Sequence, residues 1–200
     1  MKPAILAVLA SLLALGGCSS VPGDAAFRSG HAEQAVKIYE AEYLAGSSEA
    51  GLRLAALLSS DLGIPRNDQR AFSIWREMAD SGDLTASYNL GVAYENGIGT
   101  SVDYALAEKY YRKAGDGGIA VSLFNLGALY SNKRAVRGDD VAGLAFLLKA
   151  QQLATNSSET HRAIREDSLG HIQKIKSRMT PDQISKAEAL AAQLKNSPLG

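Results

Sequence analysis

One interval governs this chain. Leu54-Ala55, Leu90-Gly91 and Leu126-Gly127 follow each other at 36 residues without a gap, and so do Gly46, Gly82 and Gly118. The large apolar positions Tyr39, Trp75, Tyr111 and Leu147 keep the same step, each one residue after Ile38, Ile74, Tyr110 or Phe146. Self-similarity at a period of about 20 to 50 residues marks stacked supersecondary units, because a single unit cannot bury its apolar face. Such stacks more often present surfaces that hold other molecules than sites that catalyse.

The unit at 85–119 is the clearest. Ala86, Leu90, Ala93 and Tyr94 recur at helical spacing and predict a first helix. Asn96-Gly97-Ile98-Gly99 stops it, since glycine supplies the positive φ a turn needs. Asp103 can cap a second helix lined by Ala107, Tyr110, Tyr111 and Ala114, which the glycines at 115–118 end. The unit before it matches in register, with Leu54 and Leu58, a turn at Leu62-Gly63-Ile64-Pro65, a cap from Asn67 or Asp68, then Ala71, Ile74, Trp75 and Met78. The unit after it has Leu126, Gly127 and Tyr130, Asp139 as cap, then Phe146, Leu147 and Ala150. Its turn, at 133–137, has lost both glycines and gained three positive charges. An incomplete unit comes first: Ala35, Ile38, Tyr39 and Gly46 fit the second-helix register, behind a truncated turn around Asp24 to Ser29. No sustained alternation of β-branched residues predicts a strand.

Asn89-Leu90-Gly91, Tyr94, Gly97, Gly99, Asp103, Ala107, Tyr110-Tyr111, Lys113-Ala114 and Gly118 together resemble the Sel1-like repeat, a relative of the tetratricopeptide repeat. The resemblance covers about residues 25 to 154. It implies an all-α fold, an α/α superhelical solenoid of antiparallel helix pairs. It also implies protein or peptide binding and no particular reaction. The units expected are a truncated one at 24–47 and full ones at 48–84, 85–119 and 120–154. Residues 155–200 are expected to form a C-terminal capping helix pair. In its first helix Ala163, Ile164, Leu169, Ile172, Ile175 and Met179 make an apolar stripe, with Gly170 as a weak point. Thr180-Pro181-Asp182-Gln183 reads as a capping box opening the second, whose outer face carries Lys186, Glu188, Gln193 and Lys195.

The start of the chain reads as a targeting signal at 1–17. Lys2 precedes an apolar run at 4–15, then Leu15-Gly16-Gly17-Cys18, which resembles the lipobox of bacterial lipoproteins. Cys18, the chain's one cysteine, is then the lipidated residue, and no intramolecular disulfide can form. The tether at 18–23 reaches at most roughly 20 Å, which keeps the array close to its membrane. Ser19 after the cysteine resembles lipoproteins sorted to the outer membrane of a Gram-negative cell, facing the periplasm. The formal charge is zero, with 21 basic and 21 acidic residues, which gives no reason to expect a nucleic-acid partner.

Signals for chemistry are weak. His161 and His171 stand ten residues apart, which does not set them on one helix face as a metal motif would, and His31 falls at a cap position. Asp139-Asp140 diverge at a helix start rather than facing one cleft. Gly97 to Gly99 lacks the strand before it and the Lys-Ser/Thr after it that a phosphate loop needs. No cofactor, metal site or catalytic set is expected. What remains is a binding face. In tetratricopeptide relatives one side of each first helix lines the concave groove, which here brings Arg53, Asn89 and Asn125 to equivalent places. Leu52, Tyr88 and Phe124 stand one residue earlier, with Val92 and Ala128 one turn on. Asparagine can donate to and accept from an extended peptide; equally, these asparagines can simply belong to the repeat and meet water. The expected role is a membrane-anchored periplasmic adaptor, with accessory work in envelope export or assembly suggested by fold analogy. The alternatives are a cell-wall-directed enzyme or inhibitor, and a structural partner docked through its tail.

Overall fold

The computed structural model describes residues 21–135, 138–154 and 159–194. Cys18 and the signal segment lie outside the described residues, as do Arg137, Asn156 to Ser158 and the last residues from Lys195. All regular structure among the described residues is helical, in the order α1 (Pro22–Arg28), α2 (Ala32–Leu44), α3 (Ser48–Leu58), α4 (Asp68–Asp80), α5 (Leu84–Asn96), α6 (Tyr104–Asp116), α7 (Ala120–Ser131), α8 (Asp140–Leu153), α9 (Glu159–Lys176) and α10 (Pro181–Gln193).

The helix boundaries come from local chemistry. Asn67 accepts from the Arg70 amide at 3.1 Å, Asp103 from the Ala105 and Leu106 amides at 2.9 Å, and Asp139 from the Val141 amide at 2.8 Å. Each satisfies donors that a helix start otherwise leaves open. Ser47 and Asp83 do the same for α3 and α5. His31 holds the cap position of α2 but makes no side-chain cap bond. Thr180 and Gln183 close a reciprocal capping box, with the Thr180 amide donating to Gln183 Oε1 at 2.8 Å.

Backbone bonds at the hairpin turns repeat at the period. The amides of Ser47, Asp83 and Ile119 donate to the carbonyls of Glu42, Met78 and Ala114, three bonds that coincide when shifted by one period. Asn67 to Leu58 and Asp103 to Tyr94 coincide likewise. Gly46, Gly82 and Gly118, which end the second helices, share a left-handed backbone at φ 97°, 98° and 91°. This is a conformation that costs side chains with a Cβ but not glycine.

Packing follows the chain in a zigzag, α1 on α2, α2 on α3, and so on to α8. Small residues at the seams allow it. A Cβ on Gly91 would overlap the Tyr111 ring, and one on Gly127 would sit 2.5 Å from Leu147 Cγ. Because the first helices α3, α5 and α7 are flanked on both sides, they are buried almost all round, as at 53–58 in α3. The second helices keep a polar outer face, seen in the exposed Arg76, Glu77, Lys109 and Arg112.

The tail ends the stack differently from a repeat. Both α9 and α10 rest on α8, and α9 also lies against α7. Ile164, Ser168, Ile172 and Ile175 make the buried stripe of α9, and Gly170 passes through the helix without a break. Leu169, expected in that stripe, is instead 54% exposed, because the buried face is set one residue off, at Ser168. Lys186, Glu188 and Gln193 face outward from α10, which blocks further stacking.

Candidate functional site

The six residues expected on the binding face stand on α3, α5 and α7, and the packing of those helices decides which of them a partner can reach. Arg53 on α3 is 3% exposed. Its Nε lies 3.1 Å from Asp24 Oδ1 on α1, and its Nη2 donates to Glu49 Oε1 at 2.7 Å. The Tyr39 hydroxyl donates to the same Asp24 oxygen at 2.6 Å. Burial, followed by that bond to Asp24, raises the Tyr39 pKa well above the usual phenol range. Arg53 is therefore committed to joining the first turn of the array to the rest.

One unit on, Tyr88 and Asn89 are both buried. The Tyr88 ring centroid lies 6.1 Å from that of Tyr111. Burial raises both phenols above their ordinary range. The Tyr111 hydroxyl also donates to Glu95 at 2.9 Å. Phe124 is buried under the tail, edge-on to His171 at 5.6 Å between ring centroids.

The expected row of open amides is thus closed in the unbound chain. Arg53, Tyr88, Asn89 and Phe124 are buried, while Val92 and Asn125 are half-buried, with Leu52 and Ala128 beside them. The reason is packing from neighbouring elements: Arg53 is covered by Asp24 of α1, Tyr88 packs beside Tyr111, and Phe124 lies under His171 of the tail. What is accessible is a shallow stripe, plainest on α7, where Val121, Asn125, Ala128 and Asn132 recur at helical spacing and are all half-buried.

Other candidate chemistry does not converge. A cleft of about 670 Å³ opens between the first and second turns, lined by Arg66, Asn67, Asp68, Gln69, Gly97, Gly99 and Thr100. Its charged groups, Arg66 and Asp68, pair with each other at 2.8 Å, and Tyr39, Tyr88 and Tyr111, whose phenols burial raises, are not among its lining residues. Asp139 caps α8 while Asp140 turns away to Arg178 on the tail, at 2.6 and 2.7 Å. Sequence reasoning missed that pair. Its carboxyl is held below the usual range by the Arg178 hydrogen bond, against a smaller opposing effect of burial. His171 Nδ1 lies 3.2 Å from Ser131 Oγ, which makes it a packing residue. Among the described residues no three metal-ligating side chains come together, and no helix is long and apolar enough to cross a membrane.

Comparison with known proteins agrees with this geometry. No curated protein sequence matches the chain. Among solved structures it is similar to a protective antigen present in uropathogenic Escherichia coli strains that displays an SLR fold, with a TM-score of 0.67 and 26% identity. That match covers 81% of this chain but 32% of the antigen, so the chain spans about a third of its relative. It is also similar to a Sel1 repeat protein from Oxalobacter formigenes, with a TM-score of 0.58 and 19% identity over 98% of this chain and 77% of that one. The Sel1 repeat family model matches at 48–83, 84–119 and 120–150, more than half of the chain. Repeats of this kind are typically non-enzymatic modules of protein–protein interaction; with three repeats matched and hairpin hydrogen bonds recurring at the same period, the chain belongs to the Sel1 repeat proteins.

Proposed function

We propose that this chain is a lipid-tethered adaptor that holds a protein or peptide partner along the exposed stripe of its first helices. The observation that carries the binding part is the half-buried run Val121, Asn125, Ala128 and Asn132 on α7, continued by Val92 on α5 and Leu52 on α3. Apolar and amide side chains alternate there on a scaffold that packing holds rigid, which suits a partner offering both a backbone to hydrogen-bond and small apolar side chains. The tether rests on the sequence at Leu15-Gly16-Gly17-Cys18. With Ser19 after the cysteine, the proposed location is the periplasmic face of the outer membrane, and the proposed setting is envelope export or assembly.

A photo-crosslinking amino acid placed in turn at Val92, Asn125 and Ala128 tests the face, against Arg76 and Lys109 on the outer helices. One discrete adduct from the first set and none from the second is expected; equal capture by both sets refutes the reading. Cys18→Ala tests the tether separately, by loss of acyl-chain labelling and release from membranes. The cell-wall enzyme alternative has no converging acid–base set among the described residues to carry it.

A further inference from the structure

The third turn keeps the left-handed backbone of the second but fills it with a charged residue. In the second unit the first helix ends on Gly97, at φ 72°. One period later the same place is taken by Lys133, at φ 58°, and no other described non-glycine residue has a positive φ. The left-handed backbone costs a residue with a Cβ, and such strain gathers where a side chain has work to do. Lys133 is 59% exposed along its side chain, and the next residue, Arg134, is 42% exposed.

Two cations from the tail come to the same corner. Lys174 on α9 donates to the Asn132 side-chain oxygen at 2.7 Å, and Arg178 donates to the Ser131 carbonyl at 3.2 Å. Four cations therefore ring the C-terminal end of α7. The acidic groups among them are Asp139, whose Oδ1 caps α8; Asp140, taken by Arg178 at 2.6 Å and by Lys133 at 3.4 Å; and Glu95, 3.9 Å from Arg134 and already accepting from Tyr111. The Arg134 guanidinium carbon also lies over the Tyr104 ring, 5.7 Å from its centroid, a cation–π contact that holds it at the surface. The first turn differs: Arg66 there is bonded to Asp68 at 2.8 Å and lies 3.7 Å from Asp61.

From this arrangement we propose that the third-turn corner, built from Lys133, Arg134 and Lys174, is a docking surface for an acidic segment of a protein partner, adjoining the first-helix stripe at Asn132. A planar guanidinium group beside two ammonium groups suits discrete carboxylates, which an Arg can meet two oxygens at a time. A bilayer or a nucleic acid is drawn instead by an undiluted positive field. This chain carries no net charge, and its corner has three carboxylates interleaved with the cations.

The test measures binding of an oligoglutamate peptide to the intact chain at low ionic strength. In Lys133→Gly/Arg134→Gln, affinity is expected to fall by about ten-fold, the change that one or two charge-assisted contacts carry. Its melting temperature should stay level, because Gly97 already holds the equivalent place without strain. Lys174→Gln, a surface change on α9, serves as a second variant with a smaller loss. Arg66→Gln at the first turn should bind as the parent does. Equal affinity in the parent and the double variant, an equal loss in Arg66→Gln, or no binding by the parent overturns the proposal. So does binding to phosphatidylglycerol vesicles that vanishes in the double variant while the peptide binds neither protein, which would mark the corner as a membrane contact. None of these readouts depends on the crosslinking result at the first-helix stripe.

Discussion

The two ends of the array are closed by the same kind of contact, an Arg–Asp pair, placed in opposite surroundings. At the N-terminal end Asp24, Arg53 and Tyr39 lock α1 to α2 and α3 with exposures of 7%, 3% and 0%. At the C-terminal end Arg178 and Asp140 lock α9 to α8 at the surface, with side chains 27% and 16% exposed. The contrast shows that geometry alone does not set the worth of an ion pair. Water can take over for a lost surface partner but cannot reach a buried one.

The largest test of that contrast is Asp24→Ala. It removes the buried carboxylate from Arg53 and leaves the half-exposed Glu49 beside it, and should cost about 3 kcal/mol in urea unfolding. A cost near zero would mean that Arg53 rehydrates and that the two ends do not differ. Replacing the pair together, as Asp24→Leu with Arg53→Met, should recover most of the loss, because no charge is then stranded. Gly91→Leu gives a reference belonging to neither end. Its side chain has no room beside the Tyr111 ring, and overpacking should remove about 3 kcal/mol; near-parental melting would break the proposed seam between α5 and α6. Arg178→Gln should cost about 1 kcal/mol or less, and hydrogen exchange should quicken in α9 before it does elsewhere.

The smallest effects are read by pH, and they again separate buried from exposed groups. Asp140 has a lowered pKa, chiefly through Arg178, so its contribution is full above the unfolded-state value near 4 and is lost as pH falls through the lower folded value. Loosening of α9 should therefore appear only below about pH 4, and Arg178→Gln should abolish that step. The buried phenols act at the other extreme. Tyr130 is pushed up to about 12 by burial and by its bond to Glu108, and Tyr39 and Tyr111 are raised as well. Their contribution is intact below the unfolded-state value near 10 and is lost as pH rises through the folded values, so the body of the array should open above about pH 10.

What the sequence could reveal divides along chain distance. Caps at Asn67, Asp103 and Asp139, the box at Thr180 and Gln183, and the glycines at 46, 82 and 118 act within a few residues, so type and spacing are enough to find them. The period places the seams, because Gly91 and Tyr111 belong to one unit. Access to the binding face is different. Whether Arg53 meets a ligand depends on Asp24, and whether Phe124 does depends on His171, both from other helices. The partner of Asp140 lies 38 residues away, beyond the last repeat, where the period says nothing. The one local clue to a special third turn is Lys133-Arg134-Ala135 standing where the second turn has Gly97-Ile98-Gly99.

The coincidence of the hairpin hydrogen bonds under a one-period shift has a consequence for how such a molecule can change. A cut before Ser47 and another before Asp83 would excise a module whose neighbours can rejoin through the same amide and carbonyl. Length is therefore the freely adjustable property of this architecture. Its two terminal locks, each joining the array to a segment outside the full repeats, stay fixed while the middle is lengthened or shortened by whole turns of the stack.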